Sequence, residues 1–191
     1  MTYITDREAN QFIKKLAKKD KLTKYPAVAL IDSKAFNELC KQNNLSTMAQ
    51  GMRGLYAFYA SAKSLDFSET KECQNGIIVI FSDRITAKNM ALHIIAHEYR
   101  HFWQDSTGFI DERTVDRVTV RTTFKGNKFL AYALGDTREA DAFTYAMTRY
   151  PCSMNRGWKN LVKQALTKKH KPYFHAEAVN IWEAHLDHIL V

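Results

Sequence analysis

No run of about 18 apolar residues occurs in these 191 residues, so no segment is built to cross a membrane as a helix. Three prolines and seven glycines are too few for a collagen-like or linker-dominated chain. Cysteine is scarce as well. Cys40, Cys73 and Cys152 are odd in number, widely spaced and without a Cys-x-x-Cys pair. That spacing argues against a disulfide framework and against a thiolate zinc ribbon, and three reduced, mostly buried thiols are expected. The opening stretch "MTYITDREANQFIKKLAKKDK" is charged and amphipathic and lacks the continuous apolar core of a secretory signal. A cytoplasmic location is the expectation. Nothing in the chain has the pattern of a helix-turn-helix reading head or a zinc finger.

What the chain does have is enough apolar material for a core. Hydrophobic residues make up 46% and aromatics 12%, which argues against global disorder, and a single domain over 1–191 is expected. Basic residues outnumber acidic ones by 28 to 20, a net charge of +8. They gather at "KKLAKKDKLTK" (14–24) and "KQALTKKHKPYF" (163–174). Solvated helix faces are the plain reading of both clusters, and a phosphate-bearing or acidic partner is the sharper one.

Local signals set out the elements. Thr5–Glu8 has the form of a capping box, and Ala9, Phe12, Ile13, Leu16 and Ala17 follow it at helical spacing. "AVALI" (27–31) reads as a strand, and Asp32 or Ser33 caps a helix to about Cys40. "GLYAFYA" (54–60) and "GIIVIF" (76–81) read as two further strands. Asp83 or Thr86 is expected to cap a helix reaching Gln104 or Asp105 and closed by the turn at "STG". The segment 113–124 alternates in part and reads as an edge strand or a loop. Helices are expected at 136–150, 157–168 and 175–189. The order predicts an α+β fold, a small mixed sheet packed against helices.

Within the third predicted helix, "LHIIAHEYRHFWQ" contains His-Glu-x-x-His at His97, Glu98 and His101. Residues four apart lie one turn apart on one helix face, so both imidazoles can aim at one point. Glu98 is rotated by roughly 100° from His97, beside such a point rather than on it. There a carboxylate can take a proton from metal-activated water. Two histidines and a glutamate buried without partners would cost several kcal/mol, by order of magnitude, and a metal removes that cost. His93 falls on the same face, but three ligands from one straight helix would spread over about 12 Å. It reads instead as a packed or supporting histidine.

A third ligand must come from elsewhere. Gln104 and Thr107 stand where a metzincin carries its glycine and third histidine, so that class is excluded. Glu139 in "READAF" is the best candidate, since it opens the otherwise apolar stripe Ala142, Phe143, Ala146 and Met147. Its plain alternative is a first-turn glutamate complementing the helix dipole. Asp141 is placed to orient a ligand histidine or to pair with Arg138 or Arg149. Asp111, Glu112, Asp116, His170, His175, His185 and His188 are weaker candidates. Tyr132, Tyr145 and His175 are candidate oxyanion donors.

The pair "HEYRHFWQ" and "EADAFTYA" resembles the zincin-like metallopeptidase domains of bacteria, their phages and mobile elements. It is similar to the gluzincin-type group that includes the proteases controlling immunity repressors. The resemblance covers roughly 76–150. It implies a zincin-like fold, Zn²⁺ held by His97, His101 and Glu139, and Glu98 as general base in hydrolysis of a protein or peptide substrate. It also implies that "GIIVIF" lies near the substrate cleft. Tyr99 and Arg100 are bulky for the variable positions, and the glycine often found before the second histidine is absent. The competing expectation is a basic nucleic-acid-associated or mobile-element interaction protein that keeps a zinc site without proteolysis.

Overall fold

In the computed structural model the described residues are 3–43, 45, 50–52, 54–62, 73–109, 136–153, 155–174 and 176–185. They form a mixed α+β architecture with six helices and one three-stranded sheet. The expected segment at 113–124 lies outside the described residues, as do Asp111, Glu112, Asp116, Tyr132, His175 and His188. The chain divides into two compact units, residues 1–102 and 103–191.

The first unit is built on the sheet. Helix α1 (Asp6–Lys19) begins at a capping box in which the Thr5 hydroxyl accepts from the Glu8 N–H and the Glu8 carboxylate accepts from the Thr5 N–H. Strand β1 (Ala27–Ile31) follows, then α2 (Ser33–Gln42), capped by Asp32, which accepts from the N–H groups of Lys34 and Ala35. Strands β2 (Ala57–Ala60) and β3 (Ile77–Phe81) complete the sheet in the order β1-β3-β2. β3 runs parallel to β1 and antiparallel to β2. Its central place explains its unbroken apolar sequence, since both of its faces are covered.

Alternation along the strands sorts the side chains. Phe58, Ala60, Val79 and Phe81 make one face, packed with Phe36 of α2. Ile78 and Ile80 point to the other face and are fully buried. The outer edge of β1 is occupied by α1. Asn10 exchanges hydrogen bonds with the backbone of Val28, and Asp6 accepts from the Leu30 N–H. Gly76 admits the chain into β3 at φ +89°, where a Cβ would stand 2.7 Å from the Ala60 carbonyl oxygen.

After β3 the chain makes a 3₁₀ turn (Ser82–Arg84) and enters α3 (Lys88–Thr107). Asp83 does not serve as the helix cap anticipated from sequence. Its carboxylate is taken by the Ser33 backbone N–H at 2.9 Å and the Ser33 hydroxyl at 2.6 Å, which tie the turn to α2. The Thr86 hydroxyl turns instead to the Met90 sulfur. Arg84 donates to the Leu55 carbonyl and stacks over Phe81, holding the approach to β2. At its far end α3 closes on Gly108 at φ +72°, with the Phe109 N–H returning to the Gln104 carbonyl, a Schellman closure.

The second unit is helical. It contains the last turn of α3, then α4 (Thr137–Arg149), α5 (Asn155–Ala165), a 3₁₀ turn (Lys171–Tyr173) and α6 (Ala176–Ala184). Ala140 and Met147 of α4 join Trp158, Val162, Phe174, Val179 and Trp182 in one core. Phe143 stacks on Trp158 with ring centroids 4.2 Å apart. Among the three cysteines Cys40 is buried, while Cys73 and Cys152 are half-buried, so the expected burial holds for one of them; all three are free thiols.

Candidate metal centre

Helix α3 is buried on nearly every side between His93 and Tyr99, as a central helix must be. Three polar residues lie inside that stretch: His93 at 3% exposure, His97 at 8% and Glu98 at 9%. His101 follows one turn later and is half-buried. The Nε2 atoms of His97 and His101 stand 3.3 Å apart. Their rings cross at 85°, with centroids 4.9 Å apart. A head-on N–H···N bond would hold the centroids farther apart at that nitrogen separation, so the two nitrogens are not aimed straight at each other.

Glu139 lies in the first turn of α4 and is half-buried. One ligand atom from each of His97, His101 and Glu139 falls within 4.8 Å of the other two. Among the described residues this is the group of His, Cys, Asp or Glu side chains able to hold a metal ion. His93 is not part of it. His185 is exposed, and His170 sets its Nδ1 against the Gln164 carbonyl at 3.1 Å.

The turn that carries Glu139 is fixed by hydrogen bonds on both sides. Asp136 caps α4, its carboxylate accepting from the N–H groups of Arg138 and Glu139 at 2.9 and 3.4 Å. Gln104, fully buried at 0% exposure, spans to the same turn. Its Nε2 donates to the Arg138 carbonyl and to the Asp141 carboxylate, both at 2.8 Å. Its Oε1 accepts from the Arg138 Nε at 3.1 Å. Arg138 also pairs with Asp105 at 2.5 Å.

Gln104 is the residue that sequence reasoning overlooked. From sequence it reads as the end of its helix and as the wrong residue for a metzincin, although it follows His97 by seven and His101 by three, on the same helix face. A polar residue continuing that stripe was the available signal. For Asp141 the sequence suggests a ligand histidine or an arginine as partner, and the structure gives it Gln104. Arg149 lies over the Tyr145 ring at 4.2 Å, and Tyr145, one of the candidate oxyanion donors, is buried.

No protein-family model, curated protein or solved structure matches this chain.

Proposed function

We propose that this chain is a zinc-dependent metallopeptidase of the zincin type. The observation that carries the reading is the meeting of His97, His101 and Glu139 donor atoms within 4.8 Å, with a buried glutamate, Glu98, next to His97 in sequence. The donor set suits the ion. Two nitrogens about 2.0–2.1 Å from a tetrahedral zinc are separated by roughly 3.3 Å, which matches the 3.3 Å between the two Nε2 atoms. Two imidazoles and one carboxylate leave a fourth position for water, the composition of a catalytic rather than a closed structural site.

His97, His101 and Glu139 would hold the ion. When bound, it would supply Lewis acidity, polarising a carbonyl and lowering the pKa of water towards neutrality. Glu98 would accept the proton of the attacking water on its carboxylate and return it to the leaving amine nitrogen. Gln104, Arg138 and Asp136 would keep the Glu139 turn in place while this happens, since a donor shifted by an ångström no longer completes the set. An extended peptide would add to the sheet at β2, because among the described residues Asp6 and Asn10 cover the β1 edge, β3 is central and no strand pairs with the outer edge of β2. The predicted proximity of "GIIVIF" to the substrate would therefore be indirect.

The test combines metal analysis with cleavage of a peptide library followed by mass spectrometry. The purified protein should carry one equivalent of zinc. H97A and H101A should lose it, and E98Q should keep it while losing turnover. Near-normal hydrolysis by E98Q, or full zinc loading of the H97A/H101A double variant, would reject the proposal.

A further inference from the structure

Helix α1 buries Ala9, Ile13, Leu16 and Ala17 and packs on β1. Its opposite side carries exposed Arg7, Lys14, Lys15, Lys18 and Lys19, within an arc of about 140° at 100° per residue. Lys21 and Lys24, just past the helix end, are exposed too. None of these six lysines forms an ion pair among the described residues. In the second basic cluster Lys171 is bonded to Glu183 at 2.6 Å, while Lys163, Lys168 and Lys169 also form no ion pair among the described residues, so pairing alone does not separate the two clusters. Compensation of the helix dipole accounts for Lys18 and Lys19 in the last turn, but not for Lys14, Lys15 or the lysines beyond the end.

Two further observations single out this face. Lys21 is the one non-glycine residue with positive φ among the described residues, at 58°. It occupies the position where a Schellman closure favours glycine, with the Leu22 N–H bonded to the Ala17 carbonyl at 2.9 Å. A side chain there strains the backbone, and what the strain retains is one more cation on this face. Tyr25 is exposed beside the cluster, with the Lys14 Nζ 5.6 Å from its ring centroid. Unpaired cations next to a flat exposed ring are the parts that hold phosphates and a stacked base.

We propose that this face of α1 binds nucleic acid, taking the phosphate backbone on Lys14, Lys15, Lys18, Lys19 and Lys21 and stacking an unpaired base on Tyr25. An anionic bilayer fits less well. Amphipathic helices hold to membranes by burying their apolar face in lipid, and the apolar face of α1 is already buried in the protein. The surface is independent of the zinc site, and its test makes no use of hydrolysis.

Binding of the full chain to a labelled single strand and to a duplex of equal length is followed by fluorescence anisotropy across a salt series. Affinity should fall steeply with salt for both ligands. K15A/K18A should make the slope of log K against log salt shallower by about 2 and weaken binding at least about tenfold at 0.1 M salt. Y25A should weaken the single strand and leave the duplex unchanged. K21G should weaken both ligands several-fold without lowering the melting temperature, which separates the cation from the fold. The proposal is overturned if these substitutions leave binding unchanged, or if K168A/K169A costs as much as K15A/K18A. It is overturned equally if phosphatidylserine vesicles or polyglutamate of matched charge bind as tightly as the oligonucleotides.

Discussion

Gln104 donates its side-chain N–H to the buried carboxylate of Asp141 at 2.8 Å, across 37 residues of sequence. The same amide holds the Arg138 carbonyl and accepts from the Arg138 guanidinium, so Glu139 sits in a turn bound at the residue before it and two residues after it. Leucine at position 104 fills similar space but leaves a buried carboxylate and a carbonyl without that donor. Each lost partner costs about 1–3 kcal/mol, more for the charged group. Q104L should therefore lower the unfolding free energy by about 2–4 kcal/mol, read from urea midpoints at unchanged m-value. Zinc affinity, measured by competition with a chromogenic chelator, should drop about tenfold or more, as for other residues that orient a ligand from behind. A Q104L protein with wild-type stability and zinc affinity would show that the hydrogen bonds are incidental.

The proposed ion should link metal loading to stability through His97, His101 and Glu139. A ligand that binds only the folded chain stabilises it by RT ln(1 + [L]/Kd), about 4 kcal/mol at a thousandfold excess over Kd. Chelation should thus lower the melting temperature of the wild-type protein by several degrees. H97A and E139A should melt lower from the outset and respond little to chelator. Scanning fluorimetry with and without dipicolinate checks this. An equal chelator response in all three proteins would place the metal elsewhere.

What sequence alone revealed is what short-range chemistry decides. Thr5 and Glu8 are three residues apart and Asp32 reaches two and three residues forward, so both could be read in place, whereas Asp136 was read as part of its helix and proves to be its cap. β1 and β3 appeared at nearly their observed limits because β-branched and apolar runs bounded by proline or glycine have few other uses. Long-range pairings left no such trace. Asp83 has the composition of a helix cap, yet Ser33, 50 residues earlier, takes its carboxylate. Strand order was equally hidden, since nothing local shows that α1 covers the β1 edge through Asn10 and Asp6. The candidate site was legible where one helical turn sets the spacing, at His97, Glu98 and His101. It was legible at Glu139 only as a carboxylate out of place in an apolar stripe, and at Gln104 it was missed.

Acid should loosen the first unit at two named carboxyls. The Lys88 ammonium, bonded to Glu8 at 2.7 Å, and then the backbone N–H and hydroxyl of Thr5 lower the Glu8 pKa from 4.5 to about 2. At Asp83 burial pushes the carboxyl up, but the hydroxyl and N–H of Ser33 outweigh it and hold the group below its ordinary value of 3.8. Both groups take up protons more readily in the unfolded chain. The Glu8 contribution to stability is therefore present above pH 4.5 and is lost as pH falls from there towards 2, and that of Asp83 is present above its ordinary 3.8 and is lost as pH falls below it. Urea midpoints at pH 5 and pH 3 should differ less for E8Q and for D83N than for the wild-type protein. Identical pH slopes in all three would remove these carboxyls from the account.

Gly76 offers the sharpest test of the sheet. An alanine Cβ there would meet the Ala60 carbonyl oxygen at 2.7 Å and the Tyr59 ring at 2.8 Å, and the backbone sits at φ +89°, which side chains rarely adopt. The tyrosine ring can swing aside, but the carbonyl belongs to the strand paired with β3 and cannot move without disturbing the ladder at Ile77 and Ala60. Strain at φ and the forced shift add, each costing about 1–3 kcal/mol. G76A should lose about 2–5 kcal/mol of unfolding free energy, whereas G51A, with open space around its Cβ, should lose at most a few tenths of that. A G76A protein as stable as the wild type would mean that β3 does not enter the sheet through a left-handed glycine.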